Sequence, residues 1–366
     1  MAKELLIQQA NFFRSQLFTS LPYPSTKFTN QTIIVTGSNT GLGLEAARHF
    51  VRLDAGKVIL AVRSLSRGRL AAENIAASEG RPEAVEVWEL DLAKYDSVKS
   101  FARRAADLPR LDVVVANAGI YTFDFSTAEE DEATITVNVV STMLLGLLLL
   151  PKLRDTAAAQ GSKTVLTFTG SFVHYFTSFP ERHAENIFDS LGDASSARMM
   201  DRAQLHQLMF PRYNVSKMIQ LLVFREFAEL LAKSDGQGRV VTSIVNPGYV
   251  ATDITREATG FWFKLYLRLL SASLSRTAEV GSRTLVHAAY GDDETFGQYL
   301  EDCTVGRTSS FVTSDEGRRA QKKLWWELRA KLEKIQPGVT NIWTAGGRNC
   351  HRRSFKRSID TLSIST

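Results

Sequence analysis

The sequence predicts an α/β fold: one doubly wound parallel sheet of about seven strands, helices on both faces, and a helical extension at each end. Three observations predict it. Short runs of β-branched and apolar residues recur along the chain, each followed by a helix-like stretch. Glycine or polar residues punctuate the C-terminal end of run after run, where ligands bind in sheets of this kind. One glycine-rich turn, Gly37-Ser38-Asn39-Thr40-Gly41-Leu42-Gly43, lies between the first such strand and the first such helix.

That first strand spans Gln31 to Thr36 and carries Thr-Ile-Ile-Val-Thr. A strand, a glycine turn and a helix start make a phosphate site. Glycine lets the backbone approach a pyrophosphate, and the helix start offers free N–H groups and a positive dipole end. The spacing is G-x-x-x-G-x-G rather than G-x-G-x-x-G. A tight turn with no ligand is the plainer reading of the glycines alone.

Lys57 to Val62 is the second strand, and Arg63 follows it, 20 residues after Gly43. Dinucleotide sites place an acidic residue near that point to hold the ribose 2′-hydroxyl. Here the strand end carries Arg63, with Ser64 and Arg67 beyond it. A guanidinium pairs with a 2′-phosphate and a carboxylate repels it. Arg63 therefore points to NADP(H) over NAD, unless it pairs elsewhere on the surface.

Val85 to Leu90 is a third strand, ending in Asp91, and a helix follows over about Tyr95 to Asp107. Leu111 to Ala116 is a fourth, ending in Asn117-Ala118-Gly119. A long helix over about Asp131 to Ala159 contains Asn138. Lys163 to Phe168 ends in Thr169-Gly170-Ser171, and Val240 to Val245 ends in Asn246-Pro247-Gly248. Repeated strand–helix units of this kind give a parallel sheet covered on both faces.

Two stretches depart from a compact domain. Residues 172–212 carry many aromatic and Met residues, as does the run 261–270. Both follow strand ends, where loops shape pockets. They either cover a large apolar substrate or pack on the body or a second subunit.

Composition sets the class. The 366 residues are 44% hydrophobic and 23% charged, as in soluble globular chains. The net charge is +5, and residues 345–366 hold +4 of it. The remainder is near neutral, which argues against nucleic-acid binding. The basic tail reads as a solvated end, with contact to acidic lipid or a partner as the alternative. Cys303 and Cys350 are the two cysteines, too few for a disulfide framework or metal cluster, and they suit a reducing, cytoplasmic setting. No apolar run of about 18 residues is expected to span a bilayer. Leu5, Leu6, Phe12, Phe13, Leu17 and Phe18 are expected to form the apolar face of an N-terminal helix docked on the protein, with peripheral membrane contact as the alternative. Four segments follow: 1–29 as an amphipathic extension, 30–312 as the catalytic domain, 313–336 as a C-terminal helix and 337–366 as a flexible basic tail. The apolar stretch Met143 to Leu150 is either core or the face of a homodimer.

Tyr213-Asn214-Val215-Ser216-Lys217 places a phenol and an amine on one helix face. An ammonium held close lowers the pKa of a tyrosine and suits it to acid/base work. Alone, Tyr-x-x-x-Lys fits any amphipathic helix. With Thr36-Gly37-x-x-x-Gly41-x-Gly43, Asp91, Asn117-Ala118-Gly119, Asn138, Ser171 and Pro247-Gly248 in this order, the chain resembles the short-chain dehydrogenases/reductases over roughly residues 30–300. Within them it looks like the retinol-dehydrogenase-like branch and the fungal enzymes of secondary-metabolite pathways. The narrower likeness rests on Ala61-Val62-Arg63, the long Ser171-to-Tyr213 spacing and the Leu324-Trp325-Trp326-Glu327-Leu328 helix.

The resemblance implies a single Rossmann-type domain and these roles. Gly37, Gly41 and Gly43 line the pyrophosphate with Ser38, Asn39 and Leu42. Asp91 addresses adenine and Asn117 the adjacent ribose. Tyr213 is the acid/base, Lys217 lowers its pKa and binds the nicotinamide ribose, and Ser171 bonds the substrate oxygen. Asn138 supports a water relay to Lys217, and Pro247, Val250 and Thr252 touch the nicotinamide. Thr169-Gly170 stands where many relatives carry a second Ser before Ser171, and Val-Ala precedes Asn117. The function expected is NADP(H)-dependent interconversion of a carbonyl and an alcohol on a fairly large apolar molecule. The alternatives are a membrane-surface retinoid or lipid dehydrogenase and a non-catalytic dinucleotide-binding protein.

Overall fold

A computed structural model describes residues 2–122, 125–194, 211–234, 238–251 and 274–341. Strands β1 (Thr32–Thr36), β2 (Lys57–Val62), β3 (Val85–Glu89), β4 (Val113–Ala116), β5 (Thr164–Thr169), β6 (Val240–Asn246), β7 (Tyr299–Glu301) and β8 (Thr304–Val305) form one sheet in the order 8-7-6-5-4-1-2-3. Neighbours β1 to β7 pair in parallel and β8 joins β7 antiparallel. The order reverses between β1 and β4, the switch point where such sheets open a crevice.

The central strands β1, β2, β4, β5 and β6 are buried on both faces, so each alternates its side chains between two cores. On β1, Ile34 joins one core and Ile33 and Val35 the other. Helices α4 (Tyr95–Ala106), α5 (Thr142–Gln160), α6 (Pro211–Ala232) and α8 (Asp315–Ile335) cover the first face, and α2 (Gly41–Arg52), α3 (Leu65–Glu79) and α7 (Ala278–Tyr290) the second. The eight-stranded count exceeds the expected seven by the β8 edge, whose two residues carry no periodic signal.

Three expectations change. The long helix begins with a one-turn α segment, Ala133–Ile135, then runs as a π-helix over Thr136–Ser141 before α5. Asn138 lies in that π segment. The combined helix Ala133–Gln160 is long and apolar enough to cross a membrane, contrary to the sequence reading, but 94% of its apolar window is buried inside the protein. Met143, Leu144, Leu145, Leu147, Leu149 and Leu150 are all core. That stretch offers no face to a second subunit.

The N-terminal helix α1 (Ala2–Phe18) docks on the body through only part of the expected face, the side chains of residues 2–6 lying outside the described ones. Phe12, Ser15 and Gln16 turn inward, whereas Phe13, Leu17 and Phe18 are 46%, 50% and 80% exposed. At the other end, α8 is no appendage. Its Leu324, Trp325, Leu328 and Leu332 are in the first core. Glu327 Oε2 accepts the N–H groups of Ile187 (2.9 Å) and Phe188 (3.3 Å), fastening the segment after β5. Packing continues through Val339 and Thr340, and residues 342–366, with the basic tail, lie outside the described residues.

Candidate active site

Three strand ends are knitted together before any functional group is placed. Thr36 Oγ1 accepts the N–H of Asn117 (2.9 Å) and of Ala118 (2.8 Å). Asn117 Nδ2 donates to Thr36 O at 3.0 Å, and Thr169 Oγ1 reaches Asn117 Oδ1 at 3.5 Å. One amide thus ties the ends of β1, β4 and β5. Asn246 Oδ1 does the same for β5 and β6, accepting the N–H of Phe172 (3.2 Å) and Gly248 (3.1 Å).

The glycine turn sits on this brace. Gly37 holds a φ of +66°, which favours glycine. At Gly43 a Cβ would lie 2.5 Å from Gly37 O and 2.7 Å from Asn117 Nδ2. Thr40, the N-cap of α2, makes no side-chain cap hydrogen bond to the first turn of the helix. Ser38 Oγ is buried and donates to Val35 O at 2.8 Å, bracing the turn from within. Leu42 and Val250 converge from two strand ends onto α7, where a Cβ at Gly281 would lie 2.9 and 2.6 Å from them. Gly43→Ala is expected to lower stability by about 1–3 kcal/mol and to weaken dinucleotide binding in parallel. Thermal melting with and without cofactor checks both.

At the end of β2, Arg63 is exposed and makes no ion pair or side-chain hydrogen bond among the described residues. Ser64 caps α3 beside it. At the end of β3, Asp91 Oδ1 accepts the N–H of Ala93 at 3.0 Å, and Ser97 Oγ accepts the N–H of Asp91 at 2.9 Å. Asp91 is held rigidly and remains partly exposed.

The structure brings Asn138, Ser171, Tyr213 and Lys217 to one place. The Ser171 hydroxyl, at the end of β5, stands close enough to the Tyr213 phenol on α6 to act on its proton affinity. Ser171 Oγ also accepts the N–H of Val173, which fixes it at the start of a short 3-10 turn. Lys217 Nζ stands 5.7 Å from the Tyr213 ring centroid and is buried. It donates to Thr169 O (2.8 Å) and Gln220 Oε1 (3.0 Å). Asn138 is wholly buried. Its Oδ1 accepts the N–H of Ile120 at 2.9 Å, and its Nδ2 donates to Ile120 O (2.9 Å) and Ser216 Oγ (3.1 Å). Its side chain therefore locks the 117–120 loop to α6. A Cβ on Gly119 would lie 3.1 Å from Asn138 Oδ1 and 3.9 Å from Lys217 Nζ, so loop, amide and amine share one wall.

Electrostatics differ from the expected lowering of the Tyr213 pKa. Burial pushes the Tyr213 phenol up to about 12, partly opposed by the bond to Ser171. Burial pulls the Lys217 amine down to about 7. Both shifts favour the neutral forms because desolvation disfavours charge. The phenol is thus a proton donor at neutral pH, and the amine is poised there to gain or lose charge.

Sequence reasoning missed Gln220, Asn246 as a brace, and Tyr121. Gln220 was legible three residues after Lys217 on the same helix face. The ring of Tyr121 meets the ring of Tyr213 edge-on, 5.0 Å between centroids and 73° between planes, and no local pattern announces that contact. Thr252 and the run 261–270 lie outside the described residues, as do Met199, Met200, Met209 and Phe210.

The residues present fit a dinucleotide. The helix start of α2, the close-packed glycines and the exposed Arg63 beyond β2 suit its pyrophosphate and ribose. Comparison with known proteins agrees. Residues 31–171 match the family model for short chain dehydrogenase. The short chain dehydrogenase/reductase dmxR8 of Cryptosporiopsis sp. is 44% identical over 334 residues, 90% of this chain and 99% of its own. The chain is a short-chain dehydrogenase/reductase. Another member, the short chain dehydrogenase atnD of Emericella nidulans, is 47% identical over 296 residues, covering 80% of this chain and 90% of its own. Among solved short-chain dehydrogenases, one from Shigella flexneri superposes with TM-score 0.53 at 22% identity, covering 80% of this chain and all of its own (100%). One from Escherichia coli, complexed with NADPH, superposes with TM-score 0.52 at 23% identity, covering 76% and 99%. At such identities the superpositions speak for the fold of this short-chain dehydrogenase/reductase.

Proposed function

We propose that this short-chain dehydrogenase/reductase interconverts a carbonyl and an alcohol on a fairly large apolar small molecule, using NADP(H). The observation that carries the reading is the convergence of Ser171, Tyr213 and Lys217 beside the glycine turn and the end of β6. The nicotinamide, when bound, supplies or accepts the hydride. In the reductive direction the phenol of Tyr213 gives its proton to the oxygen of the former carbonyl, and Ser171 donates a hydrogen bond to that same oxygen. Both donors are aimed at the atom where negative charge develops. Lys217 supports the pair electrostatically and is placed to bond the nicotinamide ribose. Asn138 holds the wall against which Lys217 stands. Gly37, Asn39, Gly41, Leu42 and Gly43 line the pyrophosphate; Asp91 and Asn117 serve the adenosine side, and Pro247 and Val250 the nicotinamide side.

A non-catalytic dinucleotide sensor needs no phenol, hydroxyl and buried amine brought together, and that convergence speaks against it. A cytoplasmic setting suits Cys303, a free buried thiol whose pKa burial pushes up to about 11. The test is a panel of ketones, aldehydes and alcohols with NADPH, NADH and their oxidised forms, read at the nicotinamide absorbance band. No turnover across the panel would overturn the reading.

The phenol pKa sets the pH response. Reduction needs Tyr213 protonated, a form present at every pH below about 12. Oxidation needs it deprotonated, and below the pKa that fraction rises about tenfold per pH unit. The kcat/KM for alcohol oxidation is therefore expected to climb steadily through neutral and alkaline pH, while that for reduction stays level until strong alkali. Paired pH–rate profiles in the two directions check it, and parallel profiles would refute it.

A further inference from the structure

We propose that α1 is part of the substrate site and that Phe12 is its specificity-determining residue, selecting a flat aromatic carbonyl compound. The proposal deepens the reading above and rests on it.

The helix is fastened at the ligand-binding edge of the sheet. Gln16 Nε2 donates to Tyr249 O (2.9 Å) and Leu274 O (3.0 Å), and its Oε1 accepts the N–H of Tyr249 at 3.2 Å. Arg276 Nη2 donates to Ser15 O (2.9 Å) and Ser15 Oγ (3.1 Å) while pairing with Asp302 at 2.7 Å. These bonds clamp the chain just past the end of β6, where Val250 bridges Arg276. One turn back on the inward face, the ring of Phe12 stacks on Phe172, 4.9 Å between centroids and 25° between planes. Phe172 directly follows Ser171, and its N–H is held by Asn246 at 3.2 Å.

The inward face of α1 is unusual for a docked helix. It carries Gln8, Gln9, Ser15 and Gln16 around one aromatic, while Phe13, Leu17 and Phe18 face outward. A helix that merely sealed the core would turn its apolar side inward. This one uses polar side chains to fix its position against backbone, and stacks its inward aromatic on Phe172, the residue after Ser171. Tyr121 stands edge-on to Tyr213 at 5.0 Å. Aromatic rings thus flank both ends of the Ser171–Tyr213 pair: Tyr121 lies against Tyr213, and Phe172, the residue after Ser171, packs on Phe12, Tyr175 and Phe176. Aromatic faces favour another ring offset or edge-on at about 4.5–7 Å, so the arrangement suits a flat ring system carrying the carbonyl.

The test compares phenanthrenequinone, a flat aromatic dicarbonyl, with diacetyl, a small non-aromatic one. Wild type, Phe12→Ala, Phe12→Tyr and Gln16→Ala are assayed with NADPH, and quinone binding is measured independently by equilibrium dialysis. Phe12→Ala is expected to raise the quinone KM about tenfold, the size of one lost aromatic contact, with a smaller change in kcat. The diacetyl KM is expected to move much less, Phe12→Tyr to restore quinone selectivity, and Gln16→Ala to shift it in the same direction as Phe12→Ala. Equal losses on both probes, or no recovery in Phe12→Tyr, would show a helix that only holds the fold and would overturn the proposal. A wild type that binds quinone through Phe12 yet reduces neither probe would sink the oxidoreductase reading and leave α1 in the site. A wild type that reduces diacetyl but neither binds nor reduces quinone would do the reverse.

Discussion

Tyr213→Phe is expected to lose about 10²–10⁴ in kcat, the usual worth of a positioned proton-transfer group. At about 1.4 kcal/mol per factor of ten, that is roughly 3–6 kcal/mol of transition-state stabilisation. The substitution removes one oxygen and keeps the ring, so the edge-on contact with Tyr121 survives. Lys217 keeps its bonds to Thr169 O and Gln220. The glycine turn is braced by Asn117 and Thr36 rather than by Tyr213. NADPH affinity should therefore stay within about twofold of wild type, about 0.4 kcal/mol against the roughly 1.4 kcal/mol of a tenfold change. Loss of turnover with retained binding, by nicotinamide fluorescence and steady-state rates, is the expected pair. Normal turnover would remove Tyr213 from the reaction. Loss of both would mean the phenol supports the site's architecture rather than its proton transfer.

Much of this was legible because chemistry and punctuation coincide in the chain. The βα units put their polar ends on one edge of the sheet, and the parallel topology leaves few other ways to arrange them. Tyr213 and Lys217 were readable from helical spacing, and the glycine turn from its place between β1 and α2. Three features were not. The π segment around Asn138 arises from backbone bonding that side-chain periodicity does not encode. The inward face of α1 is set by Gln16 finding main-chain partners at Tyr249 and Leu274, far along the chain, which overrides the simpler rule that apolar faces dock. The pKa of Tyr213 depends on how much water the finished fold excludes. Spacing showed the neighbouring amine, but the desolvation that outweighs it belongs to tertiary structure.

Arg63→Asp is expected to weaken NADPH binding by about 10–100-fold, the loss of a hydrogen bond to a charged group of roughly 1.5–3 kcal/mol, and further once the carboxylate repels the 2′-phosphate. NADH should change by much less, because its 2′-hydroxyl needs no cation and accepts a carboxylate partner. The geometry favours this outcome over the alternative of a structural arginine. Arg63 is exposed, directly follows β2, and precedes the Ser64 cap of α3, so its removal leaves strand pairing and cap in place. Val62, the residue before it, stays buried in the second core. The same exposure makes the preference ionic in origin and therefore sensitive to salt. With a Debye length of about 10 Å at 0.1 M ionic strength and about 3 Å at 1 M, the wild-type advantage of NADPH over NADH should shrink as salt rises. The variant, whose carboxylate repels the 2′-phosphate, should show the opposite trend, its NADPH affinity relative to NADH rising with salt. Dissociation constants for both cofactors, measured for both proteins across a salt series, give the preference and its origin together. An unchanged ratio of the two affinities in Arg63→Asp would take the 2′-phosphate away from Arg63 and pass it to another cation at that edge, of which Arg67 is the nearest in sequence.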